Sequence, residues 1–132
     1  MIRPVLVFAA MALMFAAGFF FLDSRDTVAM AREDLVGVWQ GKGDTHFMRE
    51  FKDSGRLVDA YESLISSEGY WALFTKEMRV EGFTKPLEEG SIYLAIGIPE
   101  SEQQYFKVSK IDDKQLELMD FNGGTFSFTK IR

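Results

Sequence analysis

The chain has 132 residues, about the length of one domain, and its 15 lysine and arginine residues against 20 aspartate and glutamate residues give a formal net charge of −5. The absence of cysteine excludes disulfide scaffolds, thiolate metal sites and cysteine nucleophiles, and a single histidine excludes a metal site built from several histidines. The acidic balance argues against nucleic acid as a partner, and nothing in the composition calls for a cofactor.

The first predicted element is a hydrophobic helix near the N-terminus. Residues 4–22 contain no charged side chain; Arg3 precedes them, and Asp23, Arg25 and Asp26 follow. A helix needs about 20 apolar residues to cross the hydrocarbon core of a bilayer, so this run is long enough to span the inner membrane. The positive charge on its N-terminal side predicts an N-terminus in the cytoplasm and a C-terminal domain outside it.

Two interpretations of this run stay open. It is either an uncleaved signal anchor or a secretory signal peptide that is cut after Ala31, because Ala29-Met30-Ala31 has the small-x-small pattern of a cleavage site. A buried core helix is the least favoured interpretation, since the remaining domain has no room to bury a helix that is apolar all round. We therefore expect residues 1–31 to be the anchor or signal with a short linker. Residues 32–132 then form an extracytoplasmic domain, periplasmic in a bacterium.

The rest of the chain has the pattern of an all-β protein. Segments rich in Val, Ile, Tyr, Phe and Thr alternate with turn signals at intervals of about 8–12 residues, which is typical of a sandwich or barrel. The predicted strands are 36–42, 45–52, 56–64, 69–76, 78–83, 91–98, 103–111, 114–121 and 124–131. Their short connections predict a small antiparallel up-and-down barrel or rolled meander of eight or nine strands, preceded by the N-terminal hydrophobic helix. Residues 27–35 are expected to form a short helix or turn over one end.

Three turns are predicted from local chemistry. Asn122-Gly123 is the strongest hairpin signal, because both central positions of a type I′ turn require a positive φ. Asp112-Asp113 predicts a second tight turn. Residues 66–69, Ser-Ser-Glu-Gly, predict the turn between the third and fourth strands. The fifth strand is the weakest, since Gly82 lies within it and Pro86 lies close by.

Gly37-Val38-Trp39, at the start of the first predicted strand and followed only by antiparallel strands, resembles the lipocalin superfamily and its short bacterial lipocalin-like domains. The segments 51–55, Phe-Lys-Asp-Ser-Gly, and 105–118 are similar as well. The resemblance implies a barrel in which Trp39 packs across the closed end near a basic residue of the last strand, Lys130 or Arg132. The chain lacks the disulfides and the C-terminal helix of that family.

The candidate ligand-binding residues are mainly aromatic: Trp39, Phe47, Arg49, Phe51, Tyr70 and Phe74. Trp39 is either a plug of the core or the floor of a cavity. Phe47, Arg49 and Phe51 share one face of the second strand at period two. If that face points inward, Arg49 needs a partner, because an unpaired buried charge is costly. That partner is either a bound anion or an acid on a neighbouring strand such as Asp59. If it is a bound anion, we expect the barrel to prefer ligands with anionic head groups.

The sequence offers no catalytic or metal-binding motif. It has no Gly-x-Ser-x-Gly elbow, and the Gly-Lys pair near Lys42 fails the spacing of a phosphate-binding loop. Residues 83–90 are a lid, a partner-binding loop or a plain connection. The sequence thus favours an exported, non-enzymatic lipocalin-like barrel that binds a small apolar or amphipathic molecule. The alternative is a structural or interaction module of the cell envelope, with a fully packed core and a surface for an envelope protein.

Overall fold

The computed structural model describes residues 22–78, 80 and 83–132, with side chains from Thr27 onward. The hydrophobic run predicted at 4–22 lies outside the described residues except for Leu22. Among the residues that are described, no helix has the length and apolar character needed to cross a membrane.

The described chain forms one helix followed by a closed eight-stranded barrel. The helix α1 is Leu22–Leu35, and the strands are β1 (Gly37–Gly41), β2 (Phe47–Phe51), β3 (Arg56–Tyr61), β4 (Leu64–Phe74), β5 (Tyr93–Gly97), β6 (Gln104–Ile111), β7 (Gln115–Asp120) and β8 (Thr125–Lys130). Each strand pairs antiparallel with the next, and β8 pairs with β1 to close the barrel. The prediction of an all-β up-and-down barrel is confirmed, with eight strands.

The prediction of a fifth strand at 78–83 is wrong for the residues of this range that the structure describes. Met78, Val80 and Phe83 lie outside any strand, in the long connection between β4 and β5. These three side chains pack against the outer surface of the barrel beside Phe74 and Tyr93. The apolar residues that suggested a strand therefore cover a sheet face instead of pairing within the sheet.

The turn predicted at 66–69 is also wrong. β4 runs unbroken through these residues, and the hairpin turns instead at Glu62-Ser63, whose φ values are 52° and 69°. Two central residues with positive φ match the right-handed twist of the flanking strands, as in a type I′ turn. The usual signal was missing because neither residue is glycine or asparagine. The extra polar residue at Ser66 is absorbed by a β-bulge where β4 pairs with Asp59 and Ala60.

The hairpin at Asn122-Gly123 is confirmed, but its predicted turn type is wrong. Only Gly123 has a positive φ, 93°, and its N–H donates to the carbonyl oxygen of Asp120 at 3.2 Å. The Asp120 carboxylate accepts from the backbone N–H groups of Asn122 (2.9 Å) and Gly124 (2.8 Å). This side chain holds the loop in a wider turn than the dipeptide suggested.

The tight turn at Asp112-Asp113 is confirmed between β6 and β7. One oxygen of Asp112 accepts from the backbone N–H groups of Lys114 at 2.8 Å and Gln115 at 2.7 Å. These two hydrogen bonds favour the ionised carboxylate and lower the pKa of Asp112 below its ordinary value.

The apolar residues divide into an interior core and an outer cluster. The core lies inside the barrel and includes Trp39, Phe51, Leu57, Trp71, Leu73, Leu94, Ile96, Leu116 and Leu118. The outer cluster lies on the opposite face of β4 and β5 under the described part of the β4–β5 connection, and its buried members are Phe74, Tyr93 and Ala95. β5 is buried along its whole length because both of its faces are covered.

The helix α1 closes one end of the barrel, as expected for residues 27–35. Val28, Ala31 and Leu35 follow each other at helical spacing, and all three are buried in the interior core. The helix passes without interruption through the predicted boundary between residues 31 and 32. A cut after Ala31 would therefore remove two core residues from the folded barrel.

Candidate functional site

The closed end of the barrel is organised around Trp39. Its side chain is fully buried, and the indole Nε1–H donates to the carbonyl oxygen of Leu35 at 2.8 Å. Lys130, its direct partner on β8, lies with Nζ 5.4 Å from the indole ring and donates to the carbonyl oxygen of Asp34 at 2.8 Å. Both bonds satisfy carbonyls left free at the C-terminus of α1. Trp39 is thus a plug of the core, and Lys130 is the basic residue beside it.

Gly37 is required where the chain leaves the helix and begins β1. Its φ is 144°, a conformation that side-chain-bearing residues rarely adopt. A Cβ at this position would lie 2.6 Å from the carbonyl oxygen of Arg132 and 2.6 Å from Cε of Lys130. Gly37 therefore leaves room for Lys130 and Arg132 at the end of the chain, and Trp39 packs beneath the helix.

Arg49 and Asp59 form a buried ion pair across β2 and β3. They are direct partners in the register, and Arg49 donates from Nε to Oδ1 of Asp59 at 2.7 Å and from Nη2 to Oδ2 at 2.9 Å. Both residues are buried, at 8% and 4% exposure. This two-pronged geometry matches the planar guanidinium to the carboxylate and offsets much of the cost of desolvating both charges. Of the two partners left open by the sequence, the structure contains Asp59.

A cavity of about 490 Å³ lies at the opposite end of the barrel from α1, which we call the mouth. Its apolar lining comes from Phe47, Phe106, Leu118, Phe126 and Phe128. Its polar lining includes Asp44, Arg49 and Gln104. The guanidinium of Arg49 lies 5.4 Å from the ring centre of Phe47, so an aromatic surface and a charged group adjoin in one wall.

The structure separates the six predicted site residues into three places. Phe47 and Arg49 line the mouth cavity, whereas Trp39 and Phe51 belong to the packed core, where Phe51 meets Trp71 edge-on at 5.5 Å. The remaining two, Tyr70 and Phe74, lie with the outer cluster. They are on the face of β4 opposite Trp71, so the structure does not bring them to the cavity.

Several lining residues were missed by the sequence analysis. Phe106, Phe126 and Phe128 supply much of the apolar wall, and the ring centres of Phe106 and Phe126 are 5.9 Å apart in an edge-to-face contact. Phe126 and Phe128 are two residues apart in the predicted strand 124–131, so they share one of its faces. The sequence did not show which face of β8 points into the barrel, because alternation at period two groups residues by face without identifying the interior face.

Residues 83–90 lie against the outer surface of the barrel. The backbone N–H of Glu88 donates to the Tyr93 hydroxyl at 2.7 Å, and the Glu88 carboxylate accepts from Lys107 Nζ at 2.8 Å. That contact lowers the pKa of Glu88 and raises the pKa of Lys107. Residues 83–85 also border a second, shallow cavity of about 500 Å³ outside the barrel wall.

The rim of the mouth carries negative charge. Asp44 lies in the connection between β1 and β2, and its carboxylate accepts from the backbone N–H of His46 at 3.1 Å. The same carboxylate raises the pKa of Tyr61, chiefly because its charge opposes formation of a phenolate.

No family model matches the sequence, and neither the curated proteins nor the solved structures include a significant match. The closed eight-stranded antiparallel barrel is compatible with a lipocalin-like fold. The fold and the cavity are therefore the observations from which a function can be argued.

Proposed function

We propose that the chain is a non-enzymatic, lipocalin-like barrel that binds one small apolar or amphipathic molecule in its mouth cavity. The observation that carries this proposal is the cavity of about 490 Å³ with five apolar side chains in its wall. Ligand pockets usually enclose about 300–1,000 Å³ and combine apolar lining with a few placed polar groups. An eight-stranded barrel is just wide enough to be filled or to hold one small ligand, and here the interior is filled only towards the helix.

The apolar wall supplies the driving force in this proposal. Phe126 is 45% exposed although its ring contacts Phe106 inside the mouth. Covering such surface with an apolar ligand gains about 25 cal/mol for each Å² removed from water. Arg49, held in place by Asp59, provides a fixed polar group that would orient the ligand.

We further propose that residues 4–22 tether the barrel to the outer face of the inner membrane. The supporting observation is that α1 includes Leu22, the last residue of the hydrophobic run, and ends in the closed end of the barrel. In this arrangement the closed end faces the membrane and the mouth faces away from it. A reporter that is active only in the cytoplasm, fused after Arg132, should be silent, and activity there would contradict the assignment.

The binding proposal is tested by titrating the full-length protein with N-phenyl-1-naphthylamine, an uncharged apolar fluorophore. We expect binding in the micromolar range, weakened several-fold by Phe126→Gln. Met119→Gln is the matched control, because Met119 is also an exposed apolar side chain (37%) near the mouth but is not part of the cavity wall. Absence of binding to the wild type, or equal loss in both variants, would contradict a ligand site in the cavity.

A protein-binding surface is the second candidate, and the β3–β4 hairpin favours it. Leu64 and Ile65 are 75% and 65% exposed at its tip. β4 pairs with β5 only from Tyr70 onward, so within the described part of the chain residues 64–69 are paired on one side only. Such an edge can accept an extended segment of an envelope protein as an added strand. Loss of a co-purifying envelope protein in Ile65→Lys, with probe binding intact, would favour this alternative.

A further inference from the structure

The head group that the mouth cavity accepts can be inferred from its charges, on the basis of the proposed binding function. Arg49 is the cation in the cavity wall and Asp44 is the anion at its rim. The positive charge of Arg49 is balanced by Asp59 at 2.7 Å. The three charges together are net negative, so an entering anion meets no uncompensated positive charge.

One end of the Arg49 guanidinium is free to bind a ligand. Asp59 accepts from Nε and Nη2, whereas Nη1 makes no hydrogen bond to any residue in the described part of the chain. Arg49 lines the cavity and keeps 8% of its surface exposed, so the N–H groups that Asp59 does not occupy can donate to a molecule there.

An uncharged acceptor fits this donor better than a carboxylate does. A carboxylate would give up its hydration and would approach the Asp44 and Asp59 carboxylates for the same hydrogen bond. An ester, amide or ether oxygen loses less hydration and is not repelled. The same Asp44 carboxylate acts on Tyr61, whose pKa it raises.

We propose that the mouth cavity selects an uncharged molecule with an apolar body and one hydrogen-bond acceptor, which accepts from Nη1 of Arg49, over the matching carboxylate. This reverses the preference for anionic head groups expected from the sequence. The reason is that the buried partner of Arg49 is supplied by the barrel itself.

The test compares methyl decanoate with decanoate, which share an alkyl chain and differ in charge. Each ligand is titrated against the full-length protein carrying N-phenyl-1-naphthylamine near neutral pH, and displacement of the probe is measured. All variants are measured in the same detergent or lipid, so that partitioning of a ligand into it is the same for every variant. We expect the ester to displace the probe at a free concentration at least about tenfold lower, which corresponds to about 1.4 kcal/mol. If the probe does not bind, the proposed function fails; if it binds and decanoate competes equally well or better, only this inference fails.

The Asp59→Asn variant tests the cause of the selectivity. Asparagine keeps an acceptor for Arg49 but removes the balancing charge, so the preference for the ester should fall by about tenfold or reverse. A folded variant that keeps the full preference for the ester would overturn the inference.

Asp44→Asn provides the same test without touching the buried pair, should Asp59→Asn fail to fold. Removing the rim charge should improve displacement by decanoate about threefold and leave the ester unchanged. Asp113→Asn is the matched control, because it makes the same change in net charge at an exposed position of the β6–β7 turn, by the closed end. Equal gains in the two variants would overturn the inference, since they would reflect net charge alone.

Discussion

At the closed end of the barrel Trp39 is fully buried beneath α1, whereas at the mouth Phe126 is 45% exposed on the wall of a cavity. Both side chains point into the same barrel and lie on neighbouring strands, β1 and β8. The difference arises because α1 covers the closed end with three buried side chains, whereas only short connections between strands surround the mouth. An aromatic residue thus acts as a plug or as binding surface according to whether another element covers it.

Replacing the plug should have the largest effect. Trp39→Ala is expected to lower the free energy of unfolding by about 3–5 kcal/mol, because it leaves a cavity and frees the Leu35 carbonyl that the indole satisfies. Denaturant unfolding measures this change. A loss below about 1 kcal/mol would mean that the closed end does not depend on Trp39.

Removing part of the cover should have the next largest effect. A chain that begins at Arg32 lacks Val28 and Ala31, which are buried in the core, whereas a chain that begins at Leu22 retains them. We expect the shorter chain to be less stable by about 3 kcal/mol in thermal or denaturant unfolding. Equal stability of the two chains would show that the first half of α1 contributes nothing to the closed end and would agree with cleavage after Ala31.

The corresponding change at the mouth should cost little stability. Phe126→Gln removes a ring that is already partly in water, so the free energy of unfolding should fall by about 1 kcal/mol or less. The same denaturant experiment as for Trp39→Ala provides the comparison. A loss as large as that of Trp39→Ala would mean that the mouth is packed as tightly as the closed end and would argue against a ligand cavity.

The smallest effect is expected in the β6–β7 turn at the closed end. Asp112→Ala removes the acceptor of two backbone N–H groups and should lower the melting temperature slightly. Because the pKa of Asp112 is lower in the folded protein, its contribution is present above the unfolded pKa and is lost as pH falls through the folded pKa. The wild type and the variant should therefore converge in melting temperature in acid. A difference that persists there would assign the effect to the turn backbone instead of the charge.

Much of the strand architecture was predictable because it depends on neighbours in sequence. Alternating apolar residues and the turn at Asp112-Asp113 placed most strands within a few residues of their observed bounds. The position of the β3–β4 hairpin was wrong because its conformation is imposed by the sheet. Glu62 and Ser63 adopt positive φ because the twisted strands on either side require it, and their side chains give no local sign of this.

The sequence by itself determined that this chain is an antiparallel all-β domain, a barrel or a rolled meander, that Gly37 and Trp39 open its first strand, and that Arg49 shares a face with Phe47 and Phe51. It could do so because a period of two fixes which residues lie on the same side of a strand. Only the tertiary structure decided which side is the interior. That choice depends on closure of β1 on β8, which are far apart in the chain, and on the cover over β4 and β5 by Met78, Val80 and Leu87. The same closure brought Asp59 to Arg49 and left the mouth cavity unfilled.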